Sequence, residues 1–407
     1  MACILKERCG ESPGIIAFTH NEVVNSSLLR TPRIRTRLTE NARLGRWLYG
    51  TQIQGDCSWL KEWPLDPWQS FILWPKPDEP YLANVPRDML LDLNCVNFLP
   101  DYPASALERN VDLCIISRPS VIKRIHETLL TIRALMDLRP SLTATLVVPD
   151  MRHIELGMRT YAAQNIDQRY FDLPLRLFSA KELKQLSFIS TSEQAFGRFP
   201  LAQGVMTDIL ARARFMYLAS HKEGTPRVIA EALLTGTPCI VSRHLVSGIL
   251  STLNGKNAMA VDDEPAVAAR QIDEALENYS RYKVDVDAAR QTFSATVNRP
   301  KLQAWLGNKI EAMNRPLQGR WFLDDLSLRL ASHGRRMNLQ FGDREDTLHA
   351  WMDKIETLGA PGAPDPYDED ALFGTSNLNR PAITSPLLRQ IAKGRHLAAR
   401  IRRRLTS

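Results

Sequence analysis

The stretch from 112 to 241 alternates short apolar runs with amphipathic ones, and this alternation constrains the fold more than any other feature. Residues 112–116 (Asp-Leu-Cys-Ile-Ile) read as a buried strand and 117–120 as a turn. A helix is expected over 121–138, with apolar residues at 121, 122, 125, 129, 132, 135 and 136 and a stop at Arg139-Pro140. A strand over 142–148 follows, then a helix from about 151, strands near 175–178 and 186–189, a helix over 201–212 and a strand over 215–218. The pattern closes with a helix over 226–235 and a strand over 239–241. Strands alternating with helices in this way imply an α/β fold built on a parallel sheet with right-handed crossovers. Further helices are expected over 264–278, 300–313, 322–330 and 343–358.

Charge narrows the function classes. The chain has 52 Lys+Arg against 45 Asp+Glu, a formal net charge of +7. Residues 386–407 hold seven basic residues (Arg389, Lys393, Arg395, Arg400, Arg402, Arg403, Arg404) and no acidic ones, so the remainder sums to zero. A nucleic-acid-binding body should carry its own basic face, and this one has no excess to build it from. Six cysteines (Cys3, Cys9, Cys57, Cys95, Cys114, Cys239) show no CxxC spacing, which fits a reducing compartment better than a disulfide framework or a zinc site. The apolar run at 2–5 is too short for a signal peptide, and no stretch approaches 18 consecutive apolar residues. A soluble, cytoplasmic protein is the expectation.

The chemistry concentrates in residues 220–242 (Ser-His-Lys-Glu-Gly-Thr-Pro-Arg-Val-Ile-Ala-Glu-Ala-Leu-Leu-Thr-Gly-Thr-Pro-Cys-Ile-Val-Ser). A buried strand ends in a polar loop, where Gly224 permits a tight turn. Thr225 suits an N-cap and Pro226 a first helical residue. Gly236 suits a left-handed C-terminal cap, and Pro238 blocks continuation. The helix N-terminus then points at the C-terminal edge of the sheet, the anion-binding position of an open α/β fold. Glu223 lies just before that helix and Glu231 in its second turn. Two carboxylates beside a positive helix end suit a ligand with phosphates and hydroxyls: phosphates take backbone N–H groups where the turn at Gly224 and Thr225 leads past Pro226, which has none, into the helix, and hydroxyls donate to carboxylates. The plainer alternative is a capped helix with two solvated glutamates.

The frame Ser-x2-Glu-Gly-x-Pro-x-Val-x2-Glu-Ala-x3-Gly-x-Pro-x-Ile-x-Ser resembles the donor site of retaining glycosyltransferases of family 4, the group 1 family with the GT-B fold. The resemblance spans about 112–291 and includes Asn254-Gly255-x-Asn257-Ala258. It implies that Glu231 binds ribose hydroxyls and Glu223 the donor sugar. It further implies that Arg118 and Lys123, five residues apart after a strand, hold the donor diphosphate. Two fixed cations and a helix N-terminus stabilise a departing diphosphate, so no metal and no separate cofactor is expected. Their alternative is ordinary surface charge, although cations are disfavoured at a helix N-terminus. The family usually has Gly after the Lys; here it is Arg124. Val148-Pro149-Asp150 stands where a glycine-rich strand end is common, and the turn at 190–192 would lie near the nucleobase. The triplets Asp285/Asp287 and Asp368/Asp370 read as solvated carboxylates.

The front of the chain fits less well. Residues 14–18 (Gly-Ile-Ile-Ala-Phe) read as a buried strand followed by Thr19-His20, which resembles a late strand of the family's N-terminal domain, whose trailing His contacts the donor sugar. His20 is otherwise a loop histidine. Residues 47–74 hold five of the eight tryptophans and read as irregular, with short strands at best and the indoles covering a sheet edge or offering stacking surfaces to a sugar acceptor.

The expected organisation is a shortened N-terminal domain (1–110), a Rossmann-like donor domain (111–297), a helical extension (298–358), a linker (359–385) and a basic amphipathic tail (386–407). That tail suggests contact with an anionic membrane surface, with disorder or a nucleic-acid contact as alternatives. The whole reads as a metal-independent glycosyltransferase using a UDP- or GDP-linked sugar and a glycan or lipid-linked acceptor. The alternative is a non-catalytic nucleotide-sugar or glycan-binding protein.

Overall fold

The computed structural model describes residues 3–19, 32–53, 67–73, 85–102, 107–148, 169–189, 201, 203–330 and 353. His20, the turn at 190–192, the helix expected from 151, the linker, the tail and all but residue 353 of the helix expected over 343–358 lie outside the described residues. Two sheets organise the rest. The first orders β1 (Cys3–Lys6), β2 (Gly14–Phe18), β3 (Trp47–Gln52), β4 (Gln69–Leu73) and β5 (Leu90–Leu91) side by side, with α1 (Pro32–Arg43) between β2 and β3. β1 is antiparallel to β2, and the remaining pairs are parallel.

The region expected to be irregular therefore holds two true strands. β3 is buried at every position, and Trp47 and Trp68 are fully buried rather than spread over an edge. The space for them comes from glycine. Gly14 pairs with Trp47 across β2 and β3, and Gly50 pairs with Phe71 across β3 and β4. A Cβ on Gly14 would lie 2.0 Å from the Trp47 ring, and one on Gly50 would lie 2.1 Å from Phe71. The missing side chains let the aromatic rings lie flat over the neighbouring strand.

The second sheet runs β11-β10-β9-β6-β7-β8, all parallel. Its strands are β6 (Val111–Ile116), β7 (Ala144–Val147), β8 (Leu186–Ile189), β9 (Ala213–Leu218), β10 (Cys239–Ser242) and β11 (Ala258–Val261). Counted within the sheet this is the order 3-2-1-4-5-6 of a doubly wound dinucleotide-binding fold. Its helices are α2 (Ile125–Leu138), α3 (Arg169–Leu177), α4 (Gln203–Arg212), α5 (Arg227–Leu234) and α6 (Pro265–Glu277). The strands are buried on both faces. Leu113, Ile115, Phe215 and Tyr217 pack in one cluster with Ile125, Leu129 and Ile272 from α2 and α6. Their neighbours Cys114, Ile116, Met216 and Leu218 point the other way, into a core continuous with Leu5, Ile15 and Phe71 of the first sheet. Period-two alternation between two apolar cores is the signature of a covered parallel sheet.

Four expectations need correction. The helix expected over 322–330 is confined to Leu326–Arg329. Residues 175–178 are the end and exit of α3, not a strand; Pro174 lies inside that helix, and a short apolar run fits either period. The helix expected over 121–138 is interrupted. Val121–Lys123 forms a 3-10 turn, Arg124 adopts φ 53°, and α2 begins only at Ile125. The helix expected from 300 begins at Ala295, where Ser294 Oγ accepts from Thr296 N, and α8 (Ala295–Ala312) takes Pro300 into its interior.

The two sheets are tied by the chain leaving α7 (Val286–Phe293). Leu99 N donates to Phe293 O at 2.9 Å and Ala295 N to Leu99 O at 2.7 Å. α8 then returns to the first sheet, with Trp305 edge-on to Phe71. Residues 320–322 add to the free edge of β1, through Glu7 N to Arg320 O and Phe322 N to Leu5 O. Lys6 sits fully buried there, its ammonium donating to Ser12 Oγ, Pro13 O and Glu7 O.

Burial pulls the Lys6 pKa from 10.5 down to about 8. Below about 8 the lysine is charged in both states, and the cost of burying it is fully present. Between about 8 and 10.5 the unfolded chain holds the proton and the folded chain does not, so this group makes stability rise with pH. Urea unfolding of Lys6→Met at pH 7 and pH 9.5 should show a smaller gain, or a larger loss, across that interval than the wild type. Parallel pH dependences for the two proteins would contradict this.

Candidate functional site

Strand order reverses between β6 and β9, so the loops at their C-terminal ends line the crevice where open α/β sheets hold ligands. The loop after β6 carries Arg118 and Lys123, and the loop after β9 carries Glu223, Gly224 and Thr225. The two loops meet. Lys123 Nζ donates to both carboxylate oxygens of Glu223, to Oε2 at 2.5 Å, across 100 residues of sequence. Glu223 is nearly buried, its side chain 9% exposed. Arg118 is half-buried on the same loop as Lys123.

The loop holding Glu223 is fixed by its neighbour after β10. Glu223 N donates to Val246 O at 3.0 Å, Val246 N to His221 O at 2.7 Å and Gly248 N to Gly224 O at 2.9 Å. Ser247 Oγ also donates to Gly224 O. This backbone zipper sets the glutamate before a ligand arrives.

α5 begins at Arg227, one residue later than expected. Pro226 occupies the cap position with extended backbone and no capping side chain. Thr225, expected as the cap, accepts from Asn94 Nδ2 at 2.7 Å instead. Asn94 is fully buried just beyond β5, so this bond sets the C-terminal edge of the first sheet against the motif loop. At the other end the expectation is met: Gly236 has φ 74°, in the left-handed region. Arg109 donates to Thr235 O there, a cation closing a helix C-terminus.

Glu231, 8% exposed, accepts from Arg227 Nε at 2.6 Å. Burial alone would pull the Arg227 pKa down; the Glu231 carboxylate, and Tyr102 after it, outweigh burial and raise it. Arg227, Tyr102 and Asn94 escaped the sequence reading. Only Arg227 left a signal, a basic residue four positions before Glu231 on one helix face.

Asp285 proves to be the N-cap of α7, accepting from Ala288 N, while Asp287 is exposed and pairs with Arg290. Among the described residues no group of three or more His, Cys, Asp or Glu is placed to hold a metal ion. No helix among them is long and apolar enough to cross a membrane. A shallow hollow of about 640 Å³ lies on the crossing between the sheets, lined by Asp101, Tyr102, Arg290 and Thr296. It shares no wall with Lys123, Glu223 or Glu231.

Comparison with known proteins bears on this geometry. No curated protein matches the sequence. Among solved structures the chain is similar to a variant of TarM from S. aureus at 11% identity, covering 64% of this chain and 51% of that one with a TM-score of 0.44. It is similar to HepE from Anabaena at 16% identity, covering 70% and 80% with a TM-score of 0.46. It is similar to a UDP-forming trehalose-phosphate synthase from Burkholderia xenovorans at 14% identity, covering 67% and 72% with a TM-score of 0.48. The chain thus spans about half the length of TarM. Residues 162–278 match the family model for glycosyl transferases group 1, and that segment contains Glu223, Gly224, Thr225, Pro226 and Glu231.

Proposed function

We propose that the protein transfers a sugar from a nucleoside-diphosphate donor, UDP- or GDP-linked, to a hydroxyl of a glycan or lipid-linked acceptor. The reading includes retention of configuration and independence of a metal. The observation that carries it is the pairing of Lys123 with Glu223 at the strand-order reversal, within reach of the α5 N-terminus. Lys123, Arg118 and the first N–H groups of α5 take the diphosphate. Glu231, held by Arg227, accepts from the ribose hydroxyls. Donor phosphate competes with Glu223 for Lys123, and the released carboxylate turns to the sugar.

As the bond from the sugar to the phosphate oxygen breaks, charge gathers on the departing diphosphate, where fixed cations stabilise it most. The acceptor hydroxyl attacks from the same face and passes its proton to a leaving phosphate oxygen. Such a path needs neither an enzyme nucleophile nor a metal. The bond from Asn94 to Thr225 supports an enzyme over a non-catalytic nucleotide-sugar or glycan binder, because it sets the C-terminal edge of the first sheet against the donor loop, where an acceptor would be held. Residues 386–407 add attachment to an anionic membrane surface at the cytoplasmic face, in keeping with polysaccharide assembly; equal co-sedimentation of full-length and tail-deleted protein with anionic liposomes would remove this part.

Thermal melts with UDP-, GDP-, ADP- and dTDP-sugars test the donor reading. A donor at 100 times its Kd should stabilise the wild type by about 2.7 kcal/mol. Lys123→Ala and Glu231→Ala should lose most of that shift. The absence of a shift with every donor would overturn the assignment.

A further inference from the structure

The residue after Lys123 has a role of its own. Arg124 holds φ 53°, a left-handed conformation that residues other than glycine rarely adopt. Its side chain is 17% exposed, and the guanidinium forms an ion pair with Asp263, with 2.9 Å to Oδ2. His221, two residues before Glu223, brings Nε2 against the same guanidinium and to 2.5 Å from the same Oδ2. The other oxygen of Asp263 accepts from Ser242 Oγ at 2.7 Å, at the end of β10. One carboxylate therefore gathers the loops that follow β6, β9 and β10, and it hangs from the loop after β11. His244 stands further off, 3.8 Å from Asp263. Asp263 acts at one remove from Lys123: it holds the backbone from which Lys123 projects.

We propose that Asp263 is a positioning residue for the diphosphate site: through Arg124 and His221 it clamps the 118–124 loop in its left-handed turn and so aims Lys123 at the crevice. The inference rests on the donor reading given above and adds to it a group outside the motif. Where glycine would make this turn freely, Arg124 makes it under tension, and the Asp263 ion pair supplies the restraint. Without the carboxylate the guanidinium loses its ion pair, and the turn is left to backbone bonds, Arg124 N donating to Val121 O and Thr128 N to Arg124 O.

The test is a thermodynamic cycle on the dissociation constants of UDP and GDP, measured by calorimetry with Asp263→Ala, Lys123→Ala and the double variant. Asp263→Ala alone should weaken binding about tenfold, and should weaken it no further when Lys123 is already alanine. Equal weakening in both backgrounds would mean a general structural role and would overturn the proposal. So would binding by Asp263→Ala within twofold of wild type. Arg124→Gly serves as a second variant, since glycine makes the turn without the clamp and preserves folding; in that background Asp263→Ala should cost no further binding, and a tenfold loss there would overturn the proposal. A ligand-free measurement separates this proposal from the donor reading. Amide hydrogen exchange across 117–125 should quicken in Asp263→Ala, and unchanged exchange would overturn the clamp even if nucleotides bind. If the wild type binds neither UDP nor GDP, the donor reading falls and the role of the clamp falls with it.

Discussion

Replacing Lys123 by alanine should lower sugar transfer by about 100- to 1,000-fold, the usual loss when one preorganised group facing developing charge is removed. The effect should fall mainly on kcat, because the ammonium acts most strongly on the charge that appears as the diphosphate departs. Glu223→Gln should behave differently. It leaves the Lys123 ammonium without the carboxylate that now occupies it, so UDP or GDP should bind at least as tightly as to wild type while transfer is lost. Assays of binding and turnover on both variants check the pair. Loss of nucleotide binding in Glu223→Gln comparable to that in Lys123→Ala would mean that the glutamate organises the site instead of competing for its lysine.

The second large effect concerns the first sheet. Gly50→Ala should destabilise the protein by about 3 kcal/mol or more, at the upper end for overpacking. The added Cβ would meet Cε2, Cδ2 and Cγ of Phe71 at 2.1, 2.2 and 2.4 Å. Phe71 cannot swing away, because it is fully buried and abuts Trp305 of α8. The damage would therefore reach the helix that joins the two sheets. Gly204→Ala is the control: nothing lies within 4 Å of its added Cβ, and it sits in the first turn of α4, where alanine should gain up to about 0.5 kcal/mol. Thermal melts of the two variants should move in opposite directions. A Gly50→Ala protein as stable as wild type would show that the Phe71 ring has another place to go.

The second sheet was largely legible in the sequence because its strands are continuous apolar runs and its helices amphipathic, so two different periods mark them. Asp112 to Ile116, Leu186 to Ile189 and Ala213 to Leu218 all announce themselves in this way. In the first sheet β2 was legible as the apolar run Gly14 to Phe18, but β3 and β4 were not. β3 mixes Trp, Tyr, Thr and Gln, proline-rich stretches flank β4, and their burial comes from glycine–aromatic pairing across strands that no single segment reveals.

At the site, Glu223 and Lys123 stood out through the family resemblance of their segments, and the structure brings them together. Asp263 did not, because its partners Arg124 and His221 come from two separate loops and Ser242 from the end of β10. Arg124 itself was visible as an odd residue where glycine is usual; its positive φ shows that the backbone kept glycine's conformation and gained a side chain.

On the proposed function, the crevice between β6 and β9 holds a nucleoside diphosphate on Lys123. Calorimetric titration of UDP and of GDP into wild type and Lys123→Ala decides this. The expected result is a single site for one of the two nucleotides, weakened about tenfold or more by the substitution. Equal affinity in both proteins, or no binding of either nucleotide by the wild type, would contradict it.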